Sequence, residues 1–577
     1  MRGNEETSNI EVMKKEQQAR IDTAARRLNA LARVLLIYGL LLGGSVVFTL
    51  PFVWMIGTSF KVDREMFGER ITLLPMRPVP AEASPYLDRH YYPEPSDDTY
   101  RELEPVLREI VRETAWPVPP ETDGLDDAAD IIVPGIYRRL QQTLPQSVWT
   151  ALPAERIEAV RERVTPDLLA DGAGRVYRHL SFAAVRVRSF DLEEVDVTEN
   201  EPLSSFWSVS GNAPAHFAER TDESSRYADL VYDFRDKTGD EIRLTRIIEL
   251  PFRADRLYRI QLFMRPDDSW HRVEFFMEKN GRLLRGARPE HLGNFQWATV
   301  TLQEYGPDDE SNKIRLWIPM HEHDAGPQYE SRPDQVKVTM ILRRNTRLGA
   351  WWAKIQRNYR GALDYIPFWR YTATSVFLVL LNILGNIISC SLVAYAFARL
   401  QWPGRNLSFG IMLATMMIPP QVTMIPYFLI VKHLGWYNTL KPLWVVSFFG
   451  NAFNIFLLRQ FMKGIPRDLE DAARMDGCNF LQIYWYVIMP LIKPTLACIA
   501  IFTFMGVWND FMGPLIYLAD QRLYPLSLGL YAFNVQAGAN YGMMMAGSLL
   551  MTLPVVVIFF FAQKYFIQGV TLTGMKG

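Results

Sequence analysis

The chain has little cysteine. Three occur in 577 residues, Cys390, Cys478 and Cys498. The long polar stretch before them has none, so it holds together on its own core without disulfides, even in an oxidising compartment. Charge imbalance is also missing: 62 Lys and Arg face 63 Asp and Glu. With no dense basic stripe carrying interleaved aromatics, this argues against a nucleic-acid partner. Gly-Lys-Ser and Gly-Lys-Thr are absent, so there is no phosphate-cradling loop and the chain cannot hydrolyse ATP itself. Metal-ligand clusters are lacking too. "HEHD" puts His321 and His323 on one side of an expected strand, but no third ligand is identifiable and a solvated loop edge is the better reading. No motif asks for a cofactor or a metal.

What the chain has in quantity is apolar sequence, concentrated at 34–58 and 371–567. Several runs reach about 18 apolar residues, enough to cross a bilayer. They predict an all-α polytopic membrane protein with six transmembrane helices, at 34–58, 371–398, 407–431, 442–461, 490–518 and 541–563. A polar segment, 1–33, precedes the first run and carries Lys14, Lys15, Arg20, Arg26, Arg27 and Arg33. No small-residue cleavage site follows that run, so an uncleaved anchor is expected over a signal peptide. Arg399, Arg405, Lys463, Arg467, Arg474 and Lys564 fall on the same side as this cluster, against Lys432, Lys441 and Arg522 on the other. Positive charge stays inside. Both termini are therefore expected in the cytoplasm, and the insert at 81–357 outside it.

The insert reads as an α+β domain. In its first part, 96–180, "YRELEPVLREIVRE" and "AERIEAVRERV" space Leu, Val and Ile at three and four, which predicts helices. In its second part, 181–345, runs such as "LYRIQLFM", "HRVEFFME" and "QVKVTMIL" alternate with period two between turn clusters. That pattern predicts a β-sandwich. Trp207, Trp270, Trp297 and Trp317 are candidates to stack on sugar rings, although tryptophan on an alternating strand is more often core.

The membrane half is interrupted at 461–490 by "DLEDAARMDGCNFLQIYWYVIMP", Asp468 to Pro490. Pro466 and Asp468 predict a helix start, with Glu470 and Asp471 in the first turn where the dipole favours acids. Gly477 supplies the stop. About two turns are too short to be stable alone. Leu469, Ala472, Ala473 and Asp476 share one face, flattened by the paired alanines. Such a helix needs a groove, and a separate cytoplasmic partner is the better source than this chain's own short loops.

The run Asp471-Ala472-Ala473, Gly477 and Met489-Pro490 resembles the Ala-Ala-Gly loop of ABC importer permeases, with Asp471 where that family usually has Glu. "PFVWMIGTSFK", "MIPPQVTMIPYFLI", "LGWYNT", "WNDFMGPLIYL" and "GVTLTGMKG" are similar to its carbohydrate (maltose-type) subfamily. "NYRGAL" at Asn358 looks like what normally follows soon after "LPMRPVP" at 74–80, so the insert interrupts the likeness at one point. The resemblance implies a sugar importer working by alternating access, with 358–577 as the permease core. Its implied partners are a second permease subunit, two cytoplasmic ATPase subunits, an extracytoplasmic solute-binding protein, the sugar and membrane lipid. It implies a coupling role for Leu469, Asp471, Ala472, Ala473, Gly477 and Pro490, and an ATPase contact for a C-terminal tail containing Gly569, Gly574 and Lys576.

Further candidates, for a translocation path or a subunit interface, are Asn382 and Asn386 on one face of span two, Pro420 in span three, and Asn509 with Asp510 in span five. The rival from another class is a membrane-anchored glycan-binding or glycan-hydrolysing protein whose active module is the insert. Scattered carboxylates such as Glu274 and Glu278 would allow such an enzyme, but no acid pair stands out from a solvated background.

Overall fold

The computed structural model describes residues 33–66, 72–88, 94–114, 125–191, 194–198, 207–222, 225–236, 239–305, 317–326, 329–330, 332–535 and 541–571. The first long helix, Arg33–Ser59, keeps none of its apolar window buried within the chain. The next, Phe368–Ala398, is the hub of the membrane part. It packs against Ala452–Lys463, Lys493–Trp508 and the short turn Val445–Phe449. Among the described residues, four helices are long and apolar enough to cross a membrane, or six if each bent pair counts once.

Two expected spans are bent. Arg405–Thr415 and Pro420–His433 meet at 97°, and Phe480–Leu491 meets Lys493–Trp508 at 76°. Both breaks fall at prolines, Pro419-Pro420 and Pro494, where a missing N–H and the ring's bulk oppose helix continuation. The second pair corrects the expected 490–518 span: it begins at Phe480 and stops at Trp508. Asn509 and Asp510 therefore lie past the helix end, not inside it.

In the insert, Asp98–Glu113, Leu125–Thr143, Pro153–Arg163 and Pro166–Val176 are helices around one small core. Leu103, Leu107 and Ile110 give the first of these its buried stripe, at the expected spacing of three and four. The β-part departs from the expectation of two packed sheets. Its strands hydrogen-bond into one continuous sheet, fourteen strands among those described. Strands from its two ends, such as Ser225–Asp233 and Gln335–Arg343, send Leu230 and Val338 into the same core, so the sheet curls on itself. Glu241–Glu249 shows the driving pattern, with Ile242, Leu244 and Ile248 inside and Arg243 and Thr245 turned away, broken where Arg246 is buried and Ile247 exposed.

The insert also ends earlier than expected. Its last strand stops at Arg343. Thr346 then caps Arg347–Tyr365 by accepting from the Gly349 N–H at 3.0 Å, so 357 falls within an unbroken helix. The buried residues Ala350, Lys354, Asn358, Gly361 and Ala362 form one stripe. Asn358 donates to the carbonyls of Ser59 and Lys61, at 3.0 and 2.7 Å. A Cβ on Gly361 would lie 2.6 Å from the Met543 sulfur. The helix belongs to the membrane part while Ala350 packs on Trp270 of the insert.

Candidate functional site

The interrupting loop forms a helix at Asp468–Met475, after an N-cap at Arg467 that makes no side-chain capping bond. Its end is a Schellman motif: the N–H of Gly477 reaches the carbonyl of Arg474, and that of Cys478 the carbonyl of Ala473, each at 3.0 Å. Gly477 sits at φ +84°, a conformation that costs glycine little and other residues more. Asn479 and Gln482 then form a capping box for the next turn. A π-helix over Ile483–Ile488 carries the chain to Pro490, which lies exposed at the start of a single turn.

The helix is held by a residue pair that sequence reasoning missed. Glu470 is buried and ion-paired with Arg399, Nε to carboxylate oxygen 3.0 Å. Arg399 also donates to the carbonyls of Met462 and Ile465. One guanidinium thus joins the end of Phe368–Ala398, the end of Ala452–Lys463 and the loop helix. Arg399 had registered only as loop charge and Glu470 only as a first-turn acid. Ala473 completes the inward side, packed into a core with Tyr395, Met462 and Tyr484. Tyr484 shares a hydrogen bond with Ser391 at 2.7 Å.

This corrects the expected face. Leu469, Ala472, Ala473 and Asp476 do not form one docking surface, because Ala473 turns inward and this chain itself supplies the seat. What remains outward is Leu469, Asp471, Ala472, Met475 and Asp476. Met475 is 88% exposed, more than any other large apolar side chain described. Among the described residues Asp471 pairs only with Arg474, at 3.0 Å.

Asn382 and Asn386 are both buried and bonded within this chain. Asn382 donates to the Leu443 carbonyl at 3.0 Å and accepts from Ser447. Asn386 accepts from Asn454 at 3.3 Å. Pro420 opens its helix on an exposed surface. Asn509 is exposed and bonds only back to Met505, whereas Asp510 caps a turn through the Gly513 N–H at 3.0 Å. Gly569 lies in the helix Tyr541–Thr571; Gly574 and Lys576 lie outside the described residues.

In the insert, Glu274 is ion-paired with Arg272 and Arg285, at 2.5 and 2.9 Å. Glu278 is paired with Lys337 at 2.9 Å. Both carboxylates are thus engaged in ion pairs. His323 accepts from the Ala325 N–H at 3.1 Å and His321 stacks on Tyr305; no metal-binding cluster occurs among the described residues. Trp207 and Trp270 are core, Trp297 is stacked on Phe263, and Trp317 lines a cavity.

The architecture is that of a polytopic membrane protein with a β-rich insert and a short helix clamped across the ends of two membrane helices. Residues 387–572 match the model of the binding-protein-dependent transport system inner membrane component. The chain is 34% identical to the arabinooligosaccharides transport system permease protein AraQ of Halalkalibacterium halodurans, over 36% of this chain and 75% of that one. It is 32% identical to the galactooligosaccharides transport system permease protein GanQ of Bacillus subtilis, over 38% and 77%. A solved bacterial ABC transporter involved in import of the acidic polysaccharide alginate has 30% identity, covering 36% of this chain and 79% of that one, with a TM-score of 0.34. The chain belongs to the binding-protein-dependent inner membrane transport components. It is a multi-pass permease subunit of an ABC importer.

Proposed function

We propose that the chain carries sugars or oligosaccharides across the inner membrane by alternating access. The relatives' named cargoes support this, being oligosaccharides in both cases. On this reading each bent helix pair is one span, which gives six, and both termini are cytoplasmic with the insert outside. The working complex includes a second permease subunit, two ATPase subunits, the solute-binding protein and surrounding lipid. ATP-driven closure of the ATPases is transmitted through Asp468–Met475, with Leu469, Asp471, Ala472, Ala473, Gly477 and Pro490 as the coupling elements. The tail containing Gly569, Gly574 and Lys576 reaches the same partner.

The observation that carries the reading is an asymmetry on one short helix. Glu470 and Ala473 fix it to the membrane part while Leu469, Ala472 and Met475 stay uncovered. A rigidly seated helix with an apolar outer face transmits displacement to whatever binds it. Ala472→Trp tests this, because it adds bulk outside without touching the seat. Reconstituted with its partners, the variant should reach the membrane in normal amount but lose most ATP-driven uptake of oligosaccharide. Normal uptake by an assembled Ala472→Trp complex would sink the coupling role.

A further inference from the structure

The junction between the β-domain and the membrane part encloses a cavity of about 310 Å³ that the transport reading does not use. One wall is β-domain, including His291, Thr301 and Trp317; the other is the helix Arg347–Tyr365, through Arg357, Arg360 and Tyr365. A second hollow of about 440 Å³ adjoins it, sharing Arg288 and Trp317. These volumes are in the range of small-molecule sites, which typically combine apolar or aromatic walls with a few placed polar groups.

The charges here do not balance. Three guanidinium groups line the smaller cavity, those of Arg288, Arg357 and Arg360, against one carboxylate, Glu290. Arg288 is taken up by Glu290 at 3.1 Å and by Asp364. Arg357 and Arg360 have no carboxylate at ion-pair distance among the described residues; Asp63 feels Arg357 only from further away. The two arginines are three apart on one helix, so they repel each other. On the sheet wall of the same cavity is His291, whose pKa is held down to about 4 by burial and then by Arg272, Arg360 and Arg357. A neutral imidazole there donates from one nitrogen and accepts at the other. Arg360 is exposed and Arg357 half-buried, so the pair is reachable from solvent.

We propose that this junction binds the carboxylate of an acidic sugar, with Arg357 and Arg360 on the carboxylate and Trp317 and Tyr365 against the ring. Planar guanidinium forks match a carboxylate in shape and charge. A bare inorganic anion would leave the aromatic walls unused. In choosing a sugar among organic acids the inference rests on the transport reading.

The test uses the membrane complex in nanodiscs, without its binding protein, and titrates glucuronate, glucose and inorganic phosphate by calorimetry. Glucuronate should bind at least about tenfold tighter than glucose or phosphate, a difference of about 1.4 kcal/mol. Arg357→Gln with Arg360→Gln should abolish that preference, and Trp317→Ala should weaken glucuronate severalfold. Exchanging anionic for zwitterionic lipid should change nothing. Without ligand, Arg360→Gln should leave thermal stability unchanged or raised, since it relieves a like-charge pair. Equal binding of glucuronate and glucose, equal binding of phosphate, dependence on anionic lipid, or a stability loss in Arg360→Gln would each overturn the proposal. ATP-driven uptake of neutral oligosaccharides is measured separately with the binding protein present. Uptake without glucuronate preference removes only this inference, whereas absent uptake of every sugar removes the transport reading and leaves the titration interpretable.

Discussion

The hub helix Phe368–Ala398 is about 46 Å long by its 31 residues, and a buried ion pair stands beyond each end. Beyond its C-terminus Arg399 holds Glu470. Beyond its N-terminus, through Arg347–Tyr365, Lys354 holds Glu65. All four side chains are almost wholly buried, yet the pairs do different things. The guanidinium has donors to spare and spends them on two carbonyls at the end of a neighbouring helix, where groups are otherwise orphaned and a cation is favoured. Its bonds all stay within the membrane part. The ammonium reaches Glu65, the Met76 carbonyl at 2.6 Å, and lies 5.8 Å from the Trp270 ring. It therefore ties the exit of the first span and its connector to the insert. Burial acts first on both charges of this second pair, pushing the Lys354 pKa down and that of Glu65 up. The comparison teaches that the insert is built into the N-terminal end of the hub, not hung from it.

The sharpest way to break that comparison is to cut the insert out at two different places. Joining Pro80 to Asn358 by a short Gly/Ser linker divides Arg347–Tyr365 and removes Lys354. Such a chain should fail to accumulate in membranes. Joining Pro80 to Thr346 keeps the cap and the whole helix, and should accumulate at a substantial fraction of the full-length level. Equal accumulation of the two, read by quantitative blotting of membranes, would show that the Lys354–Glu65 clamp is dispensable.

At the C-terminal end of the hub, Arg399→Ala leaves the buried Glu470 with only the half-exposed Arg474, 3.8 Å away, at a cost of up to ~3–5 kcal/mol. Thermal unfolding of the purified complex should fall accordingly. Replacing both partners, Arg399→Leu with Glu470→Leu, should cost less than Arg399→Ala alone, because no uncompensated charge remains. A double variant as unstable as the single would mean that the carbonyl bonds, and not the ion pair, hold the loop.

Acid should separate the regions next. His271, beside Trp270 at the junction, has its pKa lowered to about 4, chiefly by burial and then by Arg344. An unfolded histidine takes its proton near pH 6.5, so the unfolded state binds more protons than the folded one between about pH 6.5 and 4. Stability contributed by the neutral ring is present above that window and is lost as pH falls through it. The opposing carboxylate, Asp267, is pushed up by burial, so its protonation in the folded state offsets part of the loss as pH falls. The expected cost is on the order of 1–3 kcal/mol, seen as a shift of the insert's tryptophan fluorescence before the membrane helices change. His271→Asn should flatten the profile; an unchanged pH dependence in that variant would assign the effect elsewhere.

The smallest effect is at Gly477. No atom lies within 4 Å of a Cβ built there, so the cost of substitution is backbone strain alone. Gly477→Val should destabilise the loop by about 1 kcal/mol and lower uptake, whereas Gly477→Asn should retain most of it. Identical uptake by the two variants would argue that the left-handed stop does not matter to transport.

Much of the membrane part was legible because its signals are local. An apolar run of sufficient length needs no partner to be recognised, and the acids, the alanine pair and Gly477 announce the loop helix from within eleven residues. Period-two runs found the strands of the insert for the same reason. The pairing of those strands was not legible: Leu230 and Val338 share a core across more than a hundred residues, and alternation gives each strand a face without giving it a neighbour. The bend at 76° hid as well, since hydropathy averages over a break, and Asn509 was placed inside a helix that had already ended.

The sequence by itself determined that this chain lives in a membrane, where its polar insert falls, and that a short helix interrupts the apolar runs. It also carried the family likeness, because those properties depend on residues close together in the chain. The tertiary structure alone decided which side of the loop helix is seated, which acids are neutralised and where the insert meets the spans. Those outcomes depend on Arg399 finding Glu470, and Lys354 finding Glu65, across 71 and 289 residues. Only the folded chain brings such groups together, and burying both charges of a pair makes the match specific.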